Sequence, residues 1–177
     1  MNLPDSAGPL SGLKVIEFTD EIAPWAGKLL AEMGADVVRI EPIEGSKTRW
    51  YEPFLDDTPD PEQSLFFWHY NVRKRSVALD IETKTGRDLF IRLVADADIL
   101  IEDQAPGKMA ELGIAYDTLS EENDSLVHAA ITPFGQSGPR ATEPATDLTL
   151  LAGSGPAWSC GYDAHELTPI RGRGGQG

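Results

Sequence analysis

Two short apolar runs, Leu13-Lys14-Val15-Ile16-Glu17-Phe18 and Asp36-Val37-Val38-Arg39-Ile40, flank a helical pattern, and this stretch decides the fold. Both runs are rich in β-branched or aromatic residues, which suit a pleated and half-buried surface. Between them Trp25, Leu29, Leu30 and Met33 recur at helical spacing, and Gly34 supplies a stop. Residues 13–41 therefore predict a βαβ unit with parallel strands, the opening of an open α/β sheet.

Working outward, residues 42–63 change character: several prolines and acids without periodicity predict a long surface excursion. Regular patterning resumes with a strand over 76–80, a helix over 86–95 and a strand over 98–101. Short helices follow over 106–112 and 116–123, then a buried strand over 126–131 and a Gly/Pro loop over 133–144. Asp147 is placed to cap an apolar helix ending near Gly153. The last seven residues, 171–177, contain four glycines. They read either as a flexible tail or as a loop cut before it enters another element.

Composition narrows the function. The chain has 177 residues, 41% of them hydrophobic, enough for one cored domain. Fifteen Lys and Arg against 29 Asp and Glu give a net charge of −14, which argues against binding nucleic acid or an anionic membrane surface. The single Cys160 cannot form an intrachain disulfide, and no Cys/His cluster has metal-ligand spacing. Residues 1–12 lack a signal-peptide pattern and no apolar run reaches membrane-spanning length, so a metal-free cytoplasmic protein is expected.

The loop over 19–24 sits where open α/β sheets take ligands, after a strand and before a helix. It lacks G-x-G-x-x-G, so Glu41 at the end of the second strand does not make a nicotinamide site. Arg73-Lys74-Arg75 is the densest positive cluster, suited either to phosphate groups or to a solvated turn. His69, His128 and His165 are scattered, and His128 reads as a hydrogen-bonded core residue in preference to a base. Asp147 reads as a cap and Cys160 as incidental. The residues alone imply an α/β ligand-binding domain with a candidate anion site.

Six ordered segments carry more. They are PLSGLKVIEF (9–18), GADVVRIEP (34–42), NVRKRSVALD (71–80), ADILIE (97–102), Pro106-Gly107 with Leu112-Gly113, and FGQSGP (134–139). Together they resemble the N-terminal part of the family III CoA-transferases of CaiB/BaiF type, which include formyl-CoA transferase, carnitine CoA-transferases and α-methylacyl-CoA racemases. The resemblance implies a Rossmann-like open sheet with helices on both faces. Residues 1–177 would be the N-terminal portion of a large domain, truncated before a smaller one. It also implies an interlocked homodimer, no tightly bound cofactor, and coenzyme A or acyl-CoA with a carboxylic acid as substrates. In that chemistry an aspartate attacks the thioester, forming first a mixed anhydride and then an aspartyl-CoA thioester.

Carried across by position, the resemblance puts Glu21, Ile22 and Ala23 beside the nucleotide, with Pro24 matching a family proline and one preceding glycine missing. Leu79, Asp80, Ile81 and Glu82 would line the adenine and ribose, and Asp103, Gln104 and Ala105 the pantetheine and phosphates. Two arginines found in some members correspond to Pro42 and Glu111, leaving Arg73, Lys74 or Lys108 as substitutes for phosphate binding. The register of Gly161 and Pro169 puts the nucleophilic aspartate about one residue beyond Gly177, so no catalytic residue is assigned within this chain. Thr146 stands where racemases carry a histidine. The expected activity of the complete protein is CoA transfer, with a non-catalytic CoA-binding or dimerisation module and a racemase relic as rivals. The isolated chain is expected to be poorly soluble, because apolar surface would lie uncovered.

Overall fold

The structure, a computed structural model, describes residues 8–159. It divides into two units, Met1–Thr132 and Pro133–Gly177. In the first, β1 (Lys14–Phe18), α1 (Pro24–Glu32) and β2 (Asp36–Glu41) form the expected βαβ unit. Pro24 opens α1, where its missing N–H leaves no hydrogen bond unmade.

The sheet continues with β3 (Arg75–Ala78), β4 (Ile99–Glu102) and β5 (Val127–Ala130), all parallel, in the order β3-β2-β1-β4-β5. Crossovers are made by α2 (Leu65–Asn71), α3 (Lys84–Ala95), α4 (Lys108–Glu111) and α5 (Tyr116–Glu122). One face carries Ile16, Val38, Ile40 and Leu100 against Phe90, Val94, Ile114 and Leu119. The opposite face carries Val15, Val37 and Ile101 against Ala31 and Leu30 of α1. The chain is therefore an α/β protein with apolar cores on both sides of its sheet.

Several boundaries differ from the sequence reading for local reasons. β3 covers 75–78 instead of 76–80: the Leu79 N–H makes a last bond to the Glu41 carbonyl at 2.8 Å, and the chain then turns toward Thr83, which caps α3 by accepting from the Gly86 N–H at 3.0 Å. Gly86 is required there: a Cβ would lie 1.7 Å from the Asp80 carbonyl oxygen. β5 is an edge strand instead of a buried one, with Val127 60% exposed. The excursion over 42–63 holds two 3₁₀ turns, Lys47–Trp50 and Leu55–Asp57. The helix α2, which no periodicity announced, is started by Ser64 accepting from the Phe67 N–H at 3.1 Å.

In the second unit α6 (Asp147–Ser154) and α7 (Pro156–Ser159) are described. Thr146, not Asp147, is the cap of α6: Thr146 and Thr149 exchange side-chain-to-backbone hydrogen bonds at 3.3 and 2.8 Å. Cys160, Gly161, His165, Pro169 and the glycine run over 171–177 lie outside the described residues. Among the described residues no helix is long and apolar enough to cross a membrane. No group of three or more His, Cys, Asp or Glu among them is placed to hold a metal ion.

Candidate functional site

The strand order reverses between β1 and β4, the place where open α/β sheets leave a crevice at their carboxyl ends. A cleft of about 380 Å³ opens there, within the usual range for a small-molecule site. Its walls are largely apolar, formed by Phe18, Ile40, Ile43, Leu79 and Leu112. Its rim carries Asp20, Glu44, Asp80, Glu82 and Lys108. Such a lining suits a flat heterocycle and an aliphatic chain, with polar groups fixing orientation at the edge.

Of the residues expected at a ligand, Leu79, Asp80, Ile81, Glu82, Gln104 and Lys108 line this cleft. Lys108 Nζ is 3.0 Å from Glu82 Oε1 at the rim. Ile22 is 55% exposed on the β1–α1 loop, and Ala23 is buried beneath it. Glu21 pairs with Lys47 at 2.9 Å, and Lys47 also reaches Asp20 at 3.3 Å. Ala105 is exposed, and its carbonyl accepts from the Lys108 N–H at 2.9 Å.

The positive cluster is dispersed by the fold. Lys74 points inward, its side chain 1% exposed, with Nζ 2.8 Å from Glu17 Oε2 and donating to the Pro24 carbonyl at 2.8 Å. Burial pulls its ammonium down to about 8, with the Glu17 charge opposing. Lys74 is therefore committed to the interior and is corrected from phosphate partner to structural cation. Arg75 pairs with Asp36 at 2.6 Å. Arg73 is exposed, has a left-handed φ of 64°, and is not part of the cleft wall. The His128 ring, 11% exposed, tilts against Tyr116, and its Nε2 lies 3.6 Å from Glu102 Oε1, beyond a hydrogen bond.

A buried polar network went unread in the sequence. Arg39, 1% exposed, donates to Glu17 Oε1 at 2.9 Å and to Ser46 Oγ at 3.1 Å. Ser46 in turn donates to Asp20 Oδ1 at 2.6 Å on the cleft wall. Beside it Glu41 accepts from Arg49 Nε at 2.7 Å, from the Ser46 N–H at 2.9 Å and from Ser76 Oγ. Burial alone would raise Glu41, but these hydrogen bonds together outweigh it and hold the carboxyl at about 2. The available signal was an arginine and a glutamate, Arg39 opposite Glu17, each set between apolar neighbours of its strand. Ser46 is 3% exposed and its proton is committed to Asp20, so the hydroxyl supplies no nucleophile to the cleft.

A parallel 3-2-1-4-5 sheet with a ligand-sized cleft at its carboxyl ends defines the class of open α/β domains that bind a small molecule beside their strand exits. More narrowly, the chain belongs to CoA-transferase family III, whose model matches residues 10–172. It is 38% identical over 161 residues to the succinyl-CoA:(R)-benzylsuccinate CoA-transferase subunit BbsE of Thauera aromatica, covering 91% of this chain and 39% of that one. It is 39% identical over 158 residues to the succinate–glutarate CoA-transferase of Agrobacterium fabrum, covering 87% and 40%. The crystal structure of a CAIB/BAIF family protein from Brucella suis superposes with a TM-score of 0.82 at 33% identity, over 95% of this chain and 44% of that one. The chain thus spans about two fifths of the length of these relatives.

Proposed function

We propose that this chain forms the coenzyme A cleft of an enzyme that moves CoA between an acyl-CoA and a carboxylic acid. The observation that carries the reading is a coincidence of position. The residues that the family resemblance assigns to adenine, ribose and phosphate, Leu79 to Glu82 with Gln104 and Lys108, line one cleft at the strand exits. The apolar walls suit the adenine ring and pantetheine arm. With Lys74 buried and Arg73 outside the wall, Lys108 is the cation left for the phosphates, releasing Glu82 as it turns to them.

In the proposed reaction an aspartate carboxylate attacks the thioester carbonyl and expels the CoA thiolate, leaving a mixed anhydride. The thiolate then attacks the aspartyl carbonyl, releasing the first acid and forming an aspartyl-CoA thioester. The second acid reverses both steps. On this reading the chain, which spans about two fifths of its relatives' length, supplies the N-terminal, CoA-holding portion of that enzyme, and the enzyme is a homodimer. Thr146 is occupied in capping α6, which gives no support to racemase chemistry through a base at that position.

Calorimetric titration of the chain with CoA tests the reading. Binding is expected, with Lys108→Ala weakening it about tenfold at low salt and less at high salt, as a screened ion pair requires. Absence of binding, or affinity indifferent to Lys108, would defeat it.

A further inference from the structure

The start of α1 is shaped like an anion seat, and the protein fills it itself. Asp103, the first residue after β4, sends its carboxylate across the switch point to the β1–α1 loop. It accepts from the Asp20 N–H through both oxygens at 2.9 and 3.0 Å, from the Ile22 N–H at 3.0 Å and from the Ala23 N–H at 3.3 Å. Backbone N–H groups gathered at a helix start form the concavity in which many α/β proteins seat a ligand phosphate.

We propose that Asp103 is the positioning residue of the cleft, an internal anion that stands in the phosphate seat of α1 and holds residues 20–23 in ligand-binding shape. Two consequences follow from the geometry. A phosphorylated ligand is denied the α1 seat and must place its charge elsewhere on the rim, where Lys108 lies. The loop is also braced from two sides, by Asp103 from β4 and by Ser46 holding the Asp20 side chain from β2. The next residue ties the same exits together: the Gln104 side chain donates to the Phe18 carbonyl at 3.2 Å, and its N–H donates to Glu102 at 2.6 Å. Burial raises the Asp103 carboxyl above its ordinary range against the three N–H groups that lower it.

The test is chemical rescue in the whole 177-residue chain. Asp103→Ala empties the seat and releases the loop, and formate has the carboxylate needed to refill it. In amide nitrogen–proton spectra, D103A is expected to displace the resonances of Asp20, Ile22 and Ala23. Sodium formate should return them toward wild-type positions, and sodium chloride at equal ionic strength should not. CoA affinity, which rests on the ligand proposed above, should fall about tenfold in D103A and recover with formate. Unmoved amides in D103A, or formate without effect on displaced ones, would overturn the proposal. If D103A does not fold, Asp103→Asn keeps one acceptor oxygen. Displaced amides in D103N would support the assignment and wild-type positions would overturn it. A wild-type chain that ignores CoA defeats the proposed ligand alone, because the formate readout needs no CoA.

Discussion

On one face of the sheet Ile16, Val38, Ile40 and Leu100 meet Phe90 and Val94, all apolar, whereas on the other face β1 and β2 carry Glu17, Arg39 and Glu41 toward their carboxyl ends. The first face is a conventional core. Phe90 has no exposed surface and meets Phe18 edge-on at 5.6 Å between ring centres. The second face begins apolar, with Val15 and Val37, and turns ionic only where the strands approach the cleft. Ionic groups in such a place are costly to desolvate, and a hydrophobic replacement of the same shape is often as stable. The difference therefore separates what holds the chain together from what shapes its site. The dry face supplies stability, and the ionic face fixes Ser46 and Asp20 at the cleft wall.

The largest effects should come from breaking either face at its centre. Phe90→Ala is expected to destabilise by about 3–5 kcal/mol through the cavity it leaves. Arg39→Ala should cost about 3–5 kcal/mol by a different route, leaving the buried Glu17 without its guanidinium and with Lys74 and the Thr19 hydroxyl as its remaining partners. Urea denaturation of both variants checks this. A small loss in Arg39→Ala would mean that water enters the ionic face and screens it.

The acid limb of stability comes next. Glu41 titrates at about 2 in the folded chain against an ordinary 4.5, so its contribution is complete above that ordinary value and disappears as pH falls toward about 2. That difference corresponds to on the order of 3 kcal/mol. Wild type should lose stability between about pH 5 and about pH 2 more steeply than Glu41→Gln does. Parallel pH profiles for the two would show that the Arg49 and Ser46 hydrogen bonds do not hold the carboxylate in solution.

How much of this was legible in the sequence follows the same division. Alternation in residues 13–18 and 36–40 with helical spacing between them marks strands and cores, because burial selects side chains by face. Leu79 to Glu82, Gln104 and Lys108 were placed at a ligand by motif, and the fold brings them to one cleft. The direction of Lys74 was not legible, since a basic triplet reads alike whether solvated or buried. Its inward turn depends on Glu17, 57 residues away. Helix α2 was missed because its aromatics, Phe66, Phe67, Trp68 and Tyr70, crowd several faces instead of forming one stripe. The role of Asp103 is hidden from the sequence because the N–H groups it accepts from, those of Asp20 and Ile22, lie on a loop more than 80 residues earlier.

Smaller effects sharpen the contrast. Gly27 of α1 passes so close to the ionic face that a Cβ would lie 1.5 Å from Glu17 Oε2. Gly27→Ala should therefore destabilise by about 2 kcal/mol, as overpacking does, although alanine is the better helix former. A stabilised variant, measured by thermal melting, would show that α1 can move off the sheet freely. The smallest stability change is expected from the triple replacement Glu17→Leu, Arg39→Met and Lys74→Met, which removes the charges together and should stay within about 2 kcal/mol of wild type. Its CoA affinity should nevertheless fall, since Ser46 and Asp20 lose the guanidinium that anchors them. Retained affinity would mean that the ionic face does not shape the site.

Whether the carboxyl-end cleft receives CoA is read by amide mapping of the wild-type chain during CoA addition. Saturable displacement of the Leu79 to Glu82, Gln104 and Lys108 resonances is expected, with β5 at the edge of the described sheet unmoved. Displacements confined to residues outside the cleft, or none as CoA is raised, would contradict it.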